Sequence, residues 1–310
     1  MFNEELKNQY LQEHSDSEHT TIRVKRVFEN LAEYEARWNA DICTKSEQEL
    51  RGVIEKVIGV RTSNRATVLS ALRSYARWCI SNDVPGACDG LLKIQDFGLE
   101  NLQSSMVASP QHLQDILNRV FPPESERQLE NIYRCFFWMA FMGIYEEDSV
   151  KITYEDIRPW SKTIEFDGVQ YKIYDQAVPV FEHLSSATVL TCDFVRFKKV
   201  KDRAPGKLLL RGVKTGSELD LSAFRHSACR EFRFAAERDP SIVRLNYRNV
   251  WLSGLFWRAH EAESNNEKYD FYDIIKGQYK CKKLPTVRRL QQINRDFEED
   301  YQRWKAAFNK

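Results

Sequence analysis

The chain has 310 residues, which is enough for two domains or for one large domain with a well-developed hydrophobic core. An apolar content of 42% and a charged content of 29% are typical of a folded globular protein and argue against wholesale disorder. The formal net charge of +1 does not by itself indicate a polyanionic partner, so the charges have to be followed along the chain.

Several protein classes are disfavoured by local composition. The most apolar run, residues 135–144, is far shorter than the roughly 20 residues that a membrane span needs. The first residues are acidic and polar, unlike a secretory signal. The seven scattered cysteines form no CxxC pair, which argues against a disulfide framework and a zinc site. We therefore expect a cytoplasmic protein with reduced, mostly buried thiols, no metal, no cofactor and no membrane partner.

Helical periodicity fills the first third of the chain. The spacing of apolar residues predicts helices over 20–38, over 45–58, and from just after Ser63 to about Ile80. The third helix has an apolar stripe, while its other face carries polar side chains such as Thr67 and Arg77. A turn follows at residues 82–86, and the serine-containing stretch 103–111 is typical of a linker. This pattern predicts an all-helical domain over residues 1–105.

The remaining residues, 106–310, are predicted to form a second domain. A very apolar helix over 127–144 should lie in its core. A strand is expected at 150–154, followed by a hairpin of 163–166 and 169–174 around Asp167-Gly168. Helical patterns return at 221–237, 247–264 and 286–308, and residues 185–200 are ambiguous. The predicted fold class is mainly α with a small antiparallel β-sheet (α+β).

Basic residues are concentrated in three stretches of the sequence. Residues 196–214 hold eight basic side chains and one acid, residues 276–289 hold six and no acid, and residues 61–78 hold four arginines and no acid. Charge segregated in this way is typical of a protein with one DNA-facing side. Each stretch taken alone is explained as well by ordinary solvated surface.

Two segments carry a resemblance to a known family. Residues 142–149 follow the apolar helix, and residues 253–260 lie in a later helical pattern. In order and surroundings they resemble the two active-site helices of tyrosine recombinases (phage integrases). Residues 62–75 are similar to the last long helix of that family's core-binding domain, and Val178-Pro179-Val180 to a conserved segment of its second domain. The resemblance implies a two-domain architecture, with a helical SAM-like domain before an integrase-like domain.

The residues that cut DNA in that family are not at their expected places. The family uses a tyrosine nucleophile, two phosphate-binding arginines and a hairpin lysine. Here Tyr145 and Phe256 occupy the arginine positions, and the hairpin tip is Asp167-Gly168. The position of the nucleophile falls near Arg288. Loss of one oxyanion-stabilising group typically costs about 10²–10³ in rate. We therefore expect a protein that binds DNA and is not an enzyme.

A narrower resemblance comes from three short segments. Residues 253–258, residues 210–214 and the tail 301–305 look like the MrpR family of SPbeta-type prophage master repressors. That resemblance implies a sequence-specific repressor of phage lytic genes, which maintains lysogeny at the nucleoid of a bacterial host. Two alternatives remain open: an active recombinase with an atypical active site, and a helical interaction protein that does not bind nucleic acid.

The expected partner is a double-stranded DNA operator, with phosphates bound by basic side chains and bases read by helix side chains. A homo-oligomer and a peptide or protein antirepressor are left open. His226 and Arg230 have the wrong spacing for a catalytic pair and are interpreted as core or surface residues. The candidate DNA-contacting residues are Ser63, Asn64, Arg65, Thr67 and Arg77 in the first domain, and Lys198, Lys199, Lys201, Arg211, Lys214, Tyr247, Arg248, Arg258, Lys280, Lys282 and Lys283 in the second.

Overall fold

The computed structural model describes residues 2–14, 18–58, 62–94, 100–122, 128–186, 189–192, 198–201, 209, 221–275 and 287–310. The chain divides into two compact units, Met1–Asn101 and Leu102–Lys310, and each is described separately below. Helices dominate both units, and the strands are short and antiparallel. The predicted fold class, mainly α with a small antiparallel sheet, is confirmed.

The described part of the first unit is helical. The helices predicted from periodicity are confirmed, and a further helix, α1, precedes them. The elements are α1 (Glu4–His14), α2 (Glu18–Trp38), α3 (Glu47–Ile58), α4 (Thr62–Ser81) and α5 (Gly90–Lys93).

Aromatic side chains hold the core of the first unit together. Phe28 on α2 and Tyr75 on α4 are fully buried, and their rings meet edge to face at 4.9 Å. Tyr10 of α1 packs against both rings and against Trp78. Aromatic pairs in this geometry contribute beyond the area they bury. They fix α1 to α2 and α4 although α1 has only a weak apolar stripe.

A buried ionic cluster lies beside this core. The ammonium of Lys7 is fully buried and donates to both carboxylate oxygens of Glu35 at 2.6 Å. Asp41 lies 3.5 Å from the same ammonium and accepts the Tyr75 hydroxyl at 3.0 Å. Burial raises the pKa of the Glu35 carboxyl, and the neighbouring Lys7 opposes that rise. The cluster satisfies charges that would otherwise be strongly destabilising in the interior.

The second unit contains most of the helices and all the described strands. Its helices are α7 (Pro110–Val120), α8 (Gln128–Met142), α9 (Glu146–Ser149), α10 (Val178–Ser186), α11 (Leu221–Arg238), α12 (Tyr247–Ser264), α13 (Phe271–Ile275) and α14 (Val287–Phe308). A short helix, α6 (Glu100–Gln103), lies at the division between the units. The strands are β1 (Ile157–Arg158), β2 (Thr163–Phe166), β3 (Val169–Lys172), β4 (Val189–Cys192) and β5 (Lys198–Lys201).

Strands β1, β2 and β3 form an antiparallel sheet in that order. The predicted hairpin is confirmed, with Ile164 opposite Tyr171 and the turn at Asp167-Gly168. Both turn residues have positive φ, 51° and 74°, as a two-residue turn of this hand requires. Strands β4 and β5 form a second antiparallel pair in the stretch that the sequence left ambiguous.

Two sequence-based expectations in this unit are wrong. Residues 150–154 are not a strand, because Lys151 closes a turn onto Asp148 and a capping box of Thr153 and Asp156 starts a short 3₁₀ turn. Residues 103–111 are not a solvated linker, since Met106 and Val107 are fully buried. The serine and proline there are helix-start residues: Ser109 caps α7 and Pro110 occupies its first turn.

The central packing of the second unit joins α8 and α12. Helix α8 is buried from Ile132 to Met142, as its all-round apolar sequence predicts. Gly143, with φ of 100°, ends it in a left-handed cap. A Cβ atom at Gly254 of α12 would lie 1.8 Å from the carbonyl oxygen of Phe141, so the two backbones touch at that point. The glycine is what allows these helices to approach so closely.

Side chains of α12 satisfy the carbonyl groups that the end of α8 leaves free. Tyr247 donates to Ile144 O at 2.9 Å, and Trp251 donates to Gly143 O at 2.9 Å. Arg258 donates to Phe141 O at 2.8 Å. These three donors and Gly254 are spaced by four, three and four residues, so they share one face of α12. We call this set the α12 donor row.

Candidate nucleic-acid interface

The first motif position, Tyr145, lies immediately before α9 and is half-buried. Its ring stacks on Trp251 of the α12 donor row, with centroids 5.4 Å apart and planes 16° apart. The adjacent Glu146 forms an ion pair with Arg225 of α11 at 3.2 Å. Burial raises the pKa of Glu146, and Arg225 opposes that rise. An aromatic stack and a carboxylate therefore occupy the place where a phosphate-binding guanidinium would be required.

The second motif position, Phe256, is in the core. It is 2% exposed and packs against Phe271, Tyr301 and Trp304, with ring centroids 6.1 to 6.3 Å apart. A side chain in this place has no route to a DNA phosphate. The neighbouring Ser253 is also internal, where it accepts a hydrogen bond from Val107 N at 2.9 Å.

Two tyrosines after the second motif, Tyr269 and Tyr301, are tied to carboxylates. Tyr301 is fully buried and donates to Glu263 at 2.6 Å, and burial raises its pKa. Tyr269 lies 3.3 Å from Glu298, and burial raises its pKa to about 12. A raised pKa makes the nucleophilic phenolate harder to form. Tyr279 lies outside the described residues.

The hairpin lysine, Lys172 on β3, is also engaged. Its ammonium pairs with Glu261 at 2.8 Å and lies 4.9 Å from the ring centroid of Tyr174. The hydroxyl of Tyr174 donates to the same Glu261 at 3.1 Å. This arrangement anchors the hairpin to α12 through an ion pair.

In the first unit, the structure places the candidate DNA-contacting residues on α4. Ser63, Asn64, Arg65 and Thr67 lie in its first two turns, but their side chains are outside the described residues. Arg77 is exposed. Ser63, Thr67 and Arg77 share one face of the helix by their spacing of four and ten residues.

In the second unit, many of the candidate DNA-contacting residues have side chains outside the described part of the structure. Lys198, Lys199 and Lys201 are on β5, with side chains outside the description. The remaining loop candidates, which lie wholly outside the described residues, are Arg211, Lys214, Lys280, Lys282 and Lys283.

Three candidates lie on α12, and they differ in exposure. Arg248 is exposed in its first turn. Tyr247 is 4% exposed, and burial raises its pKa well above the ordinary value. Arg258 is half-buried and donates to Phe141 O, and burial of its guanidinium lowers its pKa. Tyr247 and Arg258 belong to the α12 donor row, so both have a role within the fold, and Arg248 is the most exposed of the three candidates.

A basic face on α11 was not recognised in the sequence. His226, Arg230 and Arg233 are exposed and spaced by four and three residues, which places them in one row along the helix. Arg233 forms a long ion pair, 4.0 Å, with Glu237, and its guanidinium lies 5.5 Å from the ring centroid of Phe234. The sequence signal was present, because the spacing is helical, but His226 and Arg230 were weighed only as a catalytic pair.

Other site classes find little support among the described residues. In these ranges no cluster of three or more histidine, cysteine, aspartate or glutamate side chains is arranged to hold a metal ion. Within the same ranges, the helices are too short or too polar for a bilayer span.

Comparison with known proteins gives a family match for the first unit. Residues 1–81 match the family model described as MrpR, N-terminal core-binding domain. No curated protein matches the chain.

Among solved structures, the chain is similar to a XerA recombinase, with 10% identity and a TM-score of 0.40 over 97% of this chain and 98% of that one. It is similar to the Tn1549 transposon integrase in complex with a circular intermediate DNA, with 9% identity and a TM-score of 0.39 over 93% of this chain and 98% of that one. An integrase from mycobacterium phage Brujita has 11% identity and a TM-score of 0.33 over 97% of this chain and 91% of that one.

Proposed function

We propose that the protein is a sequence-specific double-stranded DNA-binding repressor that does not cut DNA, from the premise that residues 1–81 match the family model described as MrpR, N-terminal core-binding domain. Its biological role is then to silence phage lytic genes at the nucleoid of a lysogenic bacterial host. The second unit acts as a degenerate integrase-like domain that adds DNA contacts.

The observation that carries the proposal is the absence of a positively charged side chain at the two motif positions, residues 145 and 256. Phosphodiester cleavage concentrates negative charge in the transition state, which fixed cations have to stabilise. Tyr145 is stacked on Trp251, and Phe256 is enclosed by Phe271, Tyr301 and Trp304. Neither position offers a positive charge, and Glu146 adds a carboxylate beside the first.

DNA binding is supported by polar and basic faces on regular elements. The face of α4 that carries Ser63, Thr67 and Arg77 offers the hydroxyl and guanidinium groups that read base edges in the major groove. Arg230 and Arg233 on α11, together with Arg248, offer exposed cations for phosphates. In this proposal α4 supplies sequence recognition, and the cations of the second unit supply most of the non-specific affinity.

The first test is a gel-shift titration on genomic operator fragments across a salt series. We expect affinity to fall steeply with salt, because phosphate contacts release counterions. Arg65→Ala should weaken operator binding by about 10-fold, because in this proposal the Arg65 side chain reads a base. Arg248→Ala should also weaken binding, and it should reduce the slope of log affinity against log salt by about 1, as expected for one lost phosphate contact. Arg37→Ala, a surface change on α2, is the control. Salt-independent binding, or full affinity of both variants at moderate salt, contradicts the proposal and favours a protein-interaction role.

The second test addresses chemistry directly. A nicked suicide duplex that contains the operator traps any phosphotyrosyl intermediate, which migrates as a protein–DNA adduct in denaturing gels. We expect no adduct after prolonged incubation, since the loss of even one oxyanion-stabilising group typically costs about 10²–10³ in rate. A covalent adduct that maps to any tyrosine would establish the alternative, an active recombinase with an atypical site.

A further inference from the structure

One large apolar side chain of the second unit stands almost wholly in solvent. Trp160 is 83% exposed, in the short 3₁₀ turn Pro159–Ser161 between β1 and β2. Among the described residues, none makes a ring contact or a hydrogen bond with its indole. A tryptophan that becomes covered buries about 150–250 Å², and tryptophan is among the residues that contribute most to protein interfaces. Trp160 therefore has the properties of an interface anchor.

Hydrogen bonds hold the turn that carries this tryptophan. Ile173 N donates to Lys162 O at 2.7 Å, which continues the β2–β3 ladder to the end of the turn. The hydroxyl of Ser161 lies 2.7 Å from the hydroxyl of Thr163. Trp160 is thus presented by a backbone that is ordered before a partner arrives, and a preordered side chain binds at a smaller entropic cost.

A surface groove of about 600 Å³ lies beside the same turn, within the range of about 300–1,000 Å³ that is typical of ligand pockets. The two residues that follow Trp160 form part of its lining, but Trp160 does not. The groove is therefore not filled by the tryptophan of its own chain. Its lining includes Pro110 at the start of α7, Lys162, Lys172 and Tyr174 at the end of the hairpin, and Trp257 and Glu261 on α12.

The groups that line the groove suit an indole ring. Trp257 and Tyr174 offer aromatic surface for ring packing. Lys162 and Asp175 form an ion pair at 2.6 Å with side chains 55% and 79% exposed, so both are within reach of an incoming group. An ammonium attracts the face of an indole, and a carboxylate accepts its N–H.

We propose that this groove is a self-association site that receives Trp160 of a second copy of the chain. The tryptophan and the groove are neighbours on one surface, so a two-fold axis lets each copy fill the groove of the other. Both signs of charge line the groove, and the net charge of the chain is only +1, so two identical surfaces meet without strong repulsion. This property goes beyond the proposed function and stands whether or not the protein binds DNA.

The expected interface is small. Two indoles bury about 300–500 Å² together, and the groove walls lose a similar area, so the total stays below the roughly 1,200 Å² at which stable interfaces begin. The dimer is therefore weak and reversible, and it is populated at high protein concentration.

Sedimentation equilibrium of the full-length protein, from low to high micromolar concentration, tests the association. We expect a reversible monomer–dimer equilibrium, and Trp160→Ala should raise its dissociation constant by about 30-fold or more, as loss of an interface hot spot implies. Val287→Ala, at another apolar position of the second unit that is 71% exposed, should leave the dissociation constant unchanged. A monomer at every concentration, or equal dimerisation of wild type and Trp160→Ala, would overturn the proposal.

A photo-cross-link identifies what occupies the groove. Trp160 is replaced by the photoreactive residue benzoylphenylalanine, and unlabelled chains are mixed with chains labelled with heavy nitrogen. After irradiation, we expect cross-linked peptides that contain Tyr174 or Trp257 and that join a light chain to a heavy one. Cross-links confined to one chain would mean that the groove takes its own Trp160, and cross-links to peptides outside the groove would place the partner surface elsewhere. Either result contradicts the proposal.

Discussion

Gly254→Ala is expected to destabilise the second unit by about 3 kcal/mol or more. The added Cβ atom would lie 1.8 Å from the carbonyl oxygen of Phe141 and 2.6 Å from its carbonyl carbon. Both are backbone atoms of α8, so no side chain can rotate away to make room. Separating α8 from α12 would also stretch the hydrogen bonds that Trp251 and Arg258 donate across the contact. Urea denaturation followed by circular dichroism measures the loss.

A matched control lies on α3. Gly52 is exposed in that helix, and a Cβ atom there would meet nothing within 4 Å. Gly52→Ala is expected to stabilise the first unit by about 0.5–1 kcal/mol, because alanine loses less backbone entropy in a helix. The same glycine-to-alanine change should thus lower the free energy of unfolding at residue 254 and raise it at residue 52. Wild-type stability of Gly254→Ala would show that the helices are not in backbone contact.

Lys7→Met is expected to cost about 3–5 kcal/mol in the stability of the first unit, because it leaves the buried Glu35 carboxylate without its cation. The cost should depend on pH. Burial raises the pKa of Glu35 and Lys7 opposes that rise, so removing Lys7 raises it further. A carboxyl whose pKa is higher in the folded state favours folding most at low pH, and that advantage is lost as pH rises through the folded pKa. The deficit relative to wild type should therefore be smallest near pH 4.5 and largest at neutral pH.

Arg37→Ala is the control for this prediction. Arg37 and Glu33 form an ion pair on α2, with side chains 67% and 74% exposed. Its loss should change stability by less than about 1 kcal/mol at any pH in the range. Denaturation curves for wild type, Lys7→Met and Arg37→Ala at three pH values separate the effect of the buried ion pair from that of the exposed one. A deficit of Lys7→Met that does not vary with pH would place the cost in packing and not in the unpaired carboxylate.

Long helices were predictable from sequence because buried apolar residues recur along each of them over several turns. The patterns over 20–38, 45–58 and 247–264 all end within two residues of the observed helices. Helix α1 escaped detection because its burial relies on Tyr10, Leu11 and the charged Lys7, which leaves almost no apolar periodicity.

Errors arose where local hydrogen bonds outweighed composition. The alternation of Val150, Ile152 and Tyr154 resembles a strand, but side-chain and backbone caps close this segment into turns. At 103–111, serine and proline content was interpreted as a linker, although Ser109 is a helix cap. Predicting such segments correctly requires knowing which groups form the capping hydrogen bonds, and composition does not give that.

The candidate site was predictable as a pair of motif positions, but not as an arrangement of atoms. The absence of arginine at residues 145 and 256 is visible in the sequence. The inward hydrogen bonds of Tyr247 and Arg258 are not visible, because they depend on carbonyl groups at the end of α8, more than 100 residues earlier in the chain. Polar side chains drawn inward by distant backbone acceptors look like surface residues until the fold is known.

The enclosure of Phe256 by three other aromatic rings limits which side chains can replace it. An arginine at this position would place an unpaired guanidinium in an apolar interior, at a cost of several kcal/mol. Since natural domains are stable by only about 5–15 kcal/mol, that single change would remove a large share of the stability of the second unit. A cation can therefore be accommodated at residue 256 only together with changes in the rings around it.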